Sequence, residues 1–214
     1  MTRPHQLEGI VLGDDPGAWA AAGFTVRAVG TAGDVTLGRT TLRLTGTGGG
    51  VLGWSLHDVP GDLDGIADRP APEVPDPGGG TPHPNGVRRI DHVVVATDDR
   101  HRTVGAFGAA GLELRRTRDL GGGASQSFLW AGDVILEVVS PPPEGDGRVD
   151  GTWIWGLSLE SGDLDATAAA LGPLLGRPRD AVQPGRRIAI LRTRDLGISL
   201  PLAVMSPHRP TSSA

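Results

Sequence analysis

One arrangement of strands and a helix occurs twice in the second half of this 214-residue chain, and it restricts the fold more than any other feature. The strand-like segment RIDHVVVAT (89–97) leads into a short helical pattern and three further strand-like segments, which end in VILEVVS (134–140). The same order returns from TWIWGLSLE (152–160) to ISLPLAVM (198–205), at a spacing of roughly 60 residues. The duplication predicts two βαβββ modules in an α+β fold.

The helix of the second module has recognisable ends in the sequence. Asp163 or Ser161 is expected to cap its first turn, because a short polar side chain can accept hydrogen bonds from the free N–H groups there. An apolar stripe runs from Leu164 to Leu175. Gly176 is therefore expected to end the helix.

Residues 5–66 follow the same plan less regularly. They contain a strand, a short helix and further short strands, and then GVLGWSLHDV (50–59), which resembles the first strand of one more copy. An incomplete module leaves an exposed sheet edge and an apolar face. We therefore expect this region to pack against the C-terminal modules or against a second subunit, and the second arrangement predicts a homodimer.

Proline and glycine divide the chain. The segment ADRPAPEVPDPGGGTPHPNG (67–86) contains six prolines and a run of three glycines, a composition typical of linkers. The predicted organisation is an N-terminal partial module at 1–66, this linker, a two-module domain at 87–206 and a disordered tail at 207–214.

Three residue types are missing, and their absence limits the chemistry. The chain has no Cys, Tyr or Lys, so all 20 basic residues are Arg. This excludes a thiol nucleophile, a disulfide framework, a Schiff-base or P-loop lysine and a tyrosine acid. A net charge of −5 without a basic block disfavours nucleic acid, and no apolar run reaches the ~20 residues of a membrane span. We expect a cytoplasmic protein that binds neither nucleic acid nor a membrane.

The duplicated modules resemble the vicinal oxygen chelate superfamily, which includes glyoxalases, bleomycin-resistance proteins and extradiol dioxygenases. The resemblance covers 87–206 and is weaker over 5–66. HPNGVRRIDHVVV (83–95), GDVILEVV (132–139) and VQPGRRIA (182–189) together resemble an actinobacterial glyoxalase-like group. The resemblance implies that two modules pair around a cup, with metal ligands on the first and last strands of each module.

The resemblance places His92 and Glu137 at the ligand positions of the first C-terminal module. The equivalent positions in the other copies hold residues that do not bind metal: Gly156, Pro201, Gly9 and Arg43. Half of the expected ligand set therefore remains, and the implied cofactor is a divalent metal ion or none. A third ligand could come from Gln126, Glu160 or another chain.

His92 and Glu137 are thus the candidate catalytic residues. They could form half of a metal site or an acid–base pair, or they could be a retained pair that bonds only to itself. Other polar side chains on strands expected to line the cup are candidates for substrate binding: Gln126, Ser158, Glu160 and Arg187. Either Arg186 or Arg187 pointing inward would favour a carboxylate or phosphate ligand.

Three functions follow from this reading. The first is an enzyme that acts on a small oxygenated metabolite by lyase or isomerase chemistry, with or without a divalent metal. Ring cleavage by a dioxygenase fits less well, because it needs a fuller iron site. The second is a protein of the bleomycin-resistance type that binds and sequesters a small molecule. The third is an interaction protein whose pocket has decayed. In such a protein the side chains would fill the cup.

Overall fold

A computed structural model describes residues 5–70, 81–141 and 150–208 of the chain. Half of the predicted linker (71–80) and most of the predicted tail (209–214) lie outside the described residues, so their expected conformations stay predictions. The described residues form two sheets, with five and eight strands, and four short α-helices. The α+β prediction is confirmed.

The first sheet belongs to the N-terminal module and has the strand order β2-β3-β4-β1-β5. Strand β1 is parallel to β4 and antiparallel to β5. The elements in chain order are β1 (Leu7–Leu12), α1 (Pro16–Ala21), β2 (Arg27–Val29), β3 (Ala32–Leu37), β4 (Thr40–Leu44) and β5 (Val51–Leu56). This is one βαβββ module followed by the first strand of the next, as the sequence predicts.

The second sheet combines two such modules in the order β11-β12-β13-β10-β6-β9-β8-β7. Its first module consists of β6 (Val87–Thr97), α2 (Arg100–Ala109), β7 (Glu113–Gly121), β8 (Ala124–Ala131) and β9 (Val134–Ser140). Its second consists of β10 (Thr152–Ser161), α3 (Leu164–Leu171), a 3₁₀ turn (Gly172–Leu174), β11 (Arg179–Asp180), β12 (Arg187–Leu191), α4 (Thr193–Leu196) and β13 (Leu202–Met205). The first strands β6 and β10 join the modules.

Strands β6 and β10 pair antiparallel about a local two-fold axis. Val93 lies opposite Leu157 at the centre of the pairing, so His92 and Gly156 occupy equivalent positions, each one residue earlier. The predicted equivalence of His92 and Gly156 is therefore seen in the register.

The last strands need a correction. In the parallel pairs β6–β9 and β10–β13, Leu136 lies beside Val93 in the same way that Leu202 lies beside Leu157. Glu137 therefore corresponds to Ala203, and the prediction of Pro201 was wrong by two residues. The cause is the connection before β13, which forms α4 and an irregular segment in place of the tight turn between β8 and β9.

Each copy of the first strand contains a bulge at the same place. The extra, unpaired residues are Glu8 in β1, Leu52 in β5, Asp91 in β6 and Trp155 in β10. A bulge re-aims the side chains beside it. In β6 the bulge brings the side chains of two consecutive residues, Asp91 and His92, into contact on the same face of the sheet.

Helix α3 begins as predicted and ends earlier. The Asp163 carboxylate accepts the N–H groups of Asp165 and Ala166, which confirms Asp163 as the N-cap. The helix stops at Leu171 because Gly172 adopts a positive φ of 53° and Pro173 has no N–H to donate. The end predicted at Gly176 was therefore wrong.

The chain itself covers part of the outer edge of β5. The N–H of Trp54 donates to the carbonyl of Ala67 (3.0 Å), and the N–H of Arg69 donates to the carbonyl of Trp54 (2.8 Å). This segment takes the place that β13 takes beside β10. The edge expected to need a partner is thus partly paired internally, and the homodimer stays a prediction.

The two sheets share one hydrophobic cluster. Trp54 of β5 packs against Phe107 of α2, with their ring centroids 5.8 Å apart. The predicted division into separate N-terminal and C-terminal units stays a prediction. Across the described residues, no helix is long and apolar enough to cross a membrane.

Candidate functional site

The concave face of the eight-stranded sheet holds a pocket of about 360 Å³ between its two modules. Side chains of β6 to β9 form one wall, and the segment 181–183 with β12 and β13 forms the other. The lining residues are His92, Arg115, Arg116, Arg118, Gln126, Phe128, Leu129, Trp130, Ile135, Glu137, Ala181, Val182, Gln183, Ile188 and Met205. The volume suits a small organic molecule.

His92 lies between two carboxylates in this pocket. Its Nδ1 is 3.0 Å from Oδ2 of Asp91, and its Nε2 is 3.2 Å from Oε2 of Glu137. The side-chain amide of Gln126 donates to the other oxygen of Glu137, at 2.6 Å. The structure therefore brings together His92, Glu137 and Gln126, which the sequence proposed as site residues.

These contacts change the protonation of His92. Burial lowers the pKa of the imidazole, but hydrogen bonds to Asp91 and Glu137 and the attraction of both carboxylates outweigh it and raise the pKa from 6.5 to about 9. At neutral pH the ring is an imidazolium that donates its Nδ1–H to Asp91 and forms an ion pair with Glu137 through Nε2. Its side chain remains 15% exposed, so a small molecule in the pocket can reach it.

A buried arginine, Arg186, contacts Asp91, the carboxylate that binds Nδ1 of His92. Arg186 is 3% exposed, and its NH1 lies 3.0 Å from Oδ1 of Asp91. The same guanidinium donates to the carbonyl of Ser206 and to the side chain of Gln183. Burial raises the pKa of Asp91, but the hydrogen bond from His92 and the charge of Arg186 outweigh it, so the pKa lies below its usual value. Asp91 is thus held ionised.

Known structures share this architecture. A variant of 4-hydroxymandelate synthase from Streptomyces coelicolor aligns with a TM-score of 0.65 and 14% identity, over 98% of this chain and 94% of that one. Catechol 2,3-dioxygenase aligns with a TM-score of 0.57 and 14% identity, over 100% and 91% of the two chains. This protein has the vicinal oxygen chelate fold. No protein-family model and no curated protein matches its sequence.

A third structure with the vicinal oxygen chelate fold extends beyond this chain. A fusion of a xylose isomerase-like TIM barrel with a 4-hydroxyphenylpyruvate dioxygenase aligns with a TM-score of 0.62 and 12% identity, over 99% of this chain and 51% of that one. At identities this low, the structural alignments establish the fold alone. Activity has to be argued from the pocket itself.

The donors for a metal ion in this pocket are few. His92 Nε2 and the Glu137 carboxylate could bind one, but the amide nitrogen of Gln126 faces Glu137, and the equivalent positions Gly156 and Ala203 have no donor. No cluster of three His, Asp or Glu side chains that could hold a metal occurs within residues 5–70, 81–141 and 150–208. Catalytic metal sites use about three protein ligands, so these residues do not fit a resident divalent ion.

The other residues proposed for substrate binding lie away from the pocket wall. Ser158 is paired with His92 across the strands but is buried. The Glu160 carboxylate is bound by both forks of Arg89, at 3.0 and 2.7 Å. Arg187 points outward to Asp165, at 2.8 Å, and Arg186 is the inward member of the pair. Their role in substrate binding stays a prediction that this placement does not support.

Sequence reasoning missed several residues in or next to the pocket. Asp91 directly precedes His92, but an alternating strand pattern places neighbours on opposite faces, and only the bulge brings them together. The arginine-rich segment of β7, residues 115–118, had a visible signal in its charge, yet its inward face depends on a second bulge at Arg115.

Proposed function

We propose that this protein catalyses proton transfer on a small oxygenated molecule, by isomerase or lyase chemistry and without a metal ion. The observation that supports the proposal is the contact of a protonated imidazole with a carboxylate, His92 Nε2 to Glu137 Oε2 at 3.2 Å, on the wall of an open pocket. Such chemistry requires at least one proton donor and one proton acceptor that face the same cavity.

Glu137 is the base in this proposal. A substrate carbonyl oxygen takes over the Nε2–H of His92, which frees Oε2 of Glu137 to accept the proton from the carbon next to the carbonyl. The negative charge that develops on the carbonyl oxygen is stabilised by the imidazolium. Gln126 holds the other oxygen of Glu137 in place through its 2.6 Å hydrogen bond.

The proton then leaves Glu137 in one of two ways. Its return to the same or another carbon of the enolate gives an isomer. In the lyase reaction the enolate expels a leaving group from the neighbouring carbon, and that group takes the proton from Glu137 as it departs. No electrons are gained or lost in either case. Asp91 fixes the ring by accepting its Nδ1–H, so that Nε2 faces the pocket.

Proton exchange is the experiment that tests this function. The purified protein is incubated in D₂O with pyruvate, phenylpyruvate, methylglyoxal and hydroxyacetone, and the loss of the protons next to each carbonyl is followed by ¹H NMR. We expect exchange of at least one compound above the uncatalysed rate. Glu137→Gln and His92→Gln should each slow it by about 100-fold or more, the usual contribution of a general base or acid.

The chain offers a matched control in a second histidine–carboxylate pair. His57 and Glu8 are 2.9 Å apart on the surface of the N-terminal sheet, outside the pocket. His57→Gln and Glu8→Gln should leave the exchange rate unchanged. Exchange that disappears with EDTA and returns only with a divalent metal would contradict the metal-free proposal, and binding without exchange of any compound would favour the sequestering alternative. The open pocket already argues against a decayed one.

A further inference from the structure

Three arginine side chains line the pocket on the side of β7, at the outer end of the sheet. Arg115 is already paired with Glu113, at 2.8 Å. Arg116 and Arg118 have no carboxylate partner among the described residues. Two uncompensated positive charges in a concave site attract an anion.

The strand register aims both of these side chains at the site. Arg116 lies opposite Phe128, and Arg118 lies opposite Gln126, so each shares the concave face with its neighbour on β8. Phe128 in turn lies opposite Glu137. The guanidinium of Arg116 sits over the Phe128 ring, with 4.6 Å from its central carbon to the ring centroid, which fixes its direction.

The opposite wall of the pocket is apolar. Val182, Ile188 and Met205 line it, and Val182 is 79% exposed at the mouth of the pocket. An apolar side chain held so far into solvent gains free energy when an apolar ligand covers it. Gln183 beside it is bonded to the buried Arg186, which fixes the segment that carries Val182.

We propose that the ligand of this pocket is a small amphipathic anion, with a carboxylate or phosphate group bound by Arg116 and Arg118 and an apolar body against Val182, Ile188 and Met205. Such a molecule spans the pocket from β7 to β12 and passes His92 and Glu137 between its two ends. The inference rests on the proposed function only in assigning these two residues to the reacting part of the ligand.

Binding measurements test the ligand class without any assay of turnover. Phenylacetate and phenyl phosphate supply the two anionic groups on the same apolar ring, and phenylacetamide is the neutral counterpart of the acid. Affinities are measured by isothermal titration calorimetry, or by ligand-observed NMR for weak binding. We expect at least one anion to bind about tenfold or more tightly than the amide, as charge-assisted hydrogen bonds would give.

Variants locate the anion site. Arg116→Gln and Arg118→Gln should each weaken the anion by about tenfold and leave the amide unchanged. Arg177→Gln removes the same charge from an exposed position outside the pocket, and it should leave every affinity unchanged. Val182→Ser, which adds no charge, should weaken the acid and the amide alike, because both contain the ring. The phosphate and carboxylate arms show which anionic group is preferred.

Some results would overturn the inference. It fails if neither anion binds more tightly than phenylacetamide, or if Arg177→Gln weakens the anion as much as the pocket variants do. Anion binding without proton exchange would leave this inference in place and reject the proposed function. Proton exchange on neutral ketones without any preference for anions would do the reverse.

Discussion

His92 owes its unusual state to the residue before it. In a regular strand Asp91 would point to the other face of the sheet, and the imidazole would have one carboxylate partner instead of two. The bulge places Asp91 at Nδ1 while Glu137 stays at Nε2. Two carboxylates raise the pKa of the ring to about 9. The positive charge that the proposed reaction needs is therefore present at neutral pH.

The raised pKa of His92 predicts that the protein loses stability as the pH becomes alkaline. The folded protein keeps a proton that the unfolded chain releases near pH 6.5, so the stabilisation is complete below that pH and is lost as the pH rises to about 9. The difference corresponds to about 3 kcal/mol in the free energy of unfolding. Urea unfolding at pH 6.5 and 9.5 should show this loss in the wild type and a much smaller one in His92→Gln.

The exposed His57 provides the control for this comparison, because His57→Gln should keep the full loss between the two pH values. Equal pH dependence in the wild type and in His92→Gln would show that the ring is not held as an imidazolium. The same experiment reports on Asp91, since Asp91→Asn removes one of the two carboxylates and should reduce the loss.

At the scale of elements, the sequence predicted order and type well and register poorly. The repeated pattern of strands identified both C-terminal modules, and the resemblance to the vicinal oxygen chelate superfamily placed His92 and Glu137 at one site. Bulges at Asp91 and Arg115 were not predictable, because one extra residue leaves the apolar pattern of a strand nearly unchanged. The pairing of Glu160 with Arg89 was not predictable either, because it depends on a neighbour that the register selects.

The segment 81–86 behaves as part of the N-terminal module although its composition is that of a linker. The His83 ring is 6% exposed, accepts the N–H of Thr25 at Nδ1 and donates from Nε2 to the carbonyl of Thr36, both at 3.0 Å. Its ring also meets Phe24 edge-on, with centroids 5.4 Å apart. A histidine in a proline-rich stretch thus fastens the start of β6 to the first sheet.

We predict that His83→Ala lowers the free energy of unfolding by about 2 to 3 kcal/mol, because two buried hydrogen bonds and a ring contact are lost. Burial lowers the pKa of His83, although its hydrogen bond to Thr36 opposes this, so its contribution should also fade as the pH falls below 6.5. Chemical denaturation at pH 7.5 and 5.5 measures both effects. His208→Ala, at an exposed histidine, should change neither value, and a His83→Ala protein as stable as the wild type would refute the fastening role.

At the scale of the molecule, a polar cluster joins the two sheets beside their shared core. Asp64 in the N-terminal region accepts hydrogen bonds from Arg102 and Thr103 of α2 and from Thr152 of β10, at 2.9, 2.6 and 2.7 Å. Burial raises the pKa of Asp64, but these hydrogen bonds and the charge of Arg102 outweigh it and lower the pKa. Both ends of this cluster must be folded for it to form.

The whole described molecule should therefore unfold in one transition. We expect a single calorimetric peak, and Asp64→Ala should move the entire peak to lower temperature with a loss of about 2 kcal/mol or more. Asp58→Ala is the matched control, since Asp58 shares the positive φ of Asp64 but is exposed. Two separate peaks, or a shift of only part of the signal, would show that the N-terminal module unfolds independently.

The repeated bulge limits how many copies of the His92 position such a molecule can carry. The residue after the bulge is glycine in β1, β5 and β10, and histidine only in β6. A Cβ atom at Gly53 would lie 2.3 Å from the carbonyl oxygen of Ala67, and one at Gly156 would lie 2.8 Å from that of Pro201. At both places a neighbouring main chain occupies the space that an imidazole needs. A single substitution at Gly53 or Gly156 therefore cannot reproduce the position of His92 unless that main chain moves.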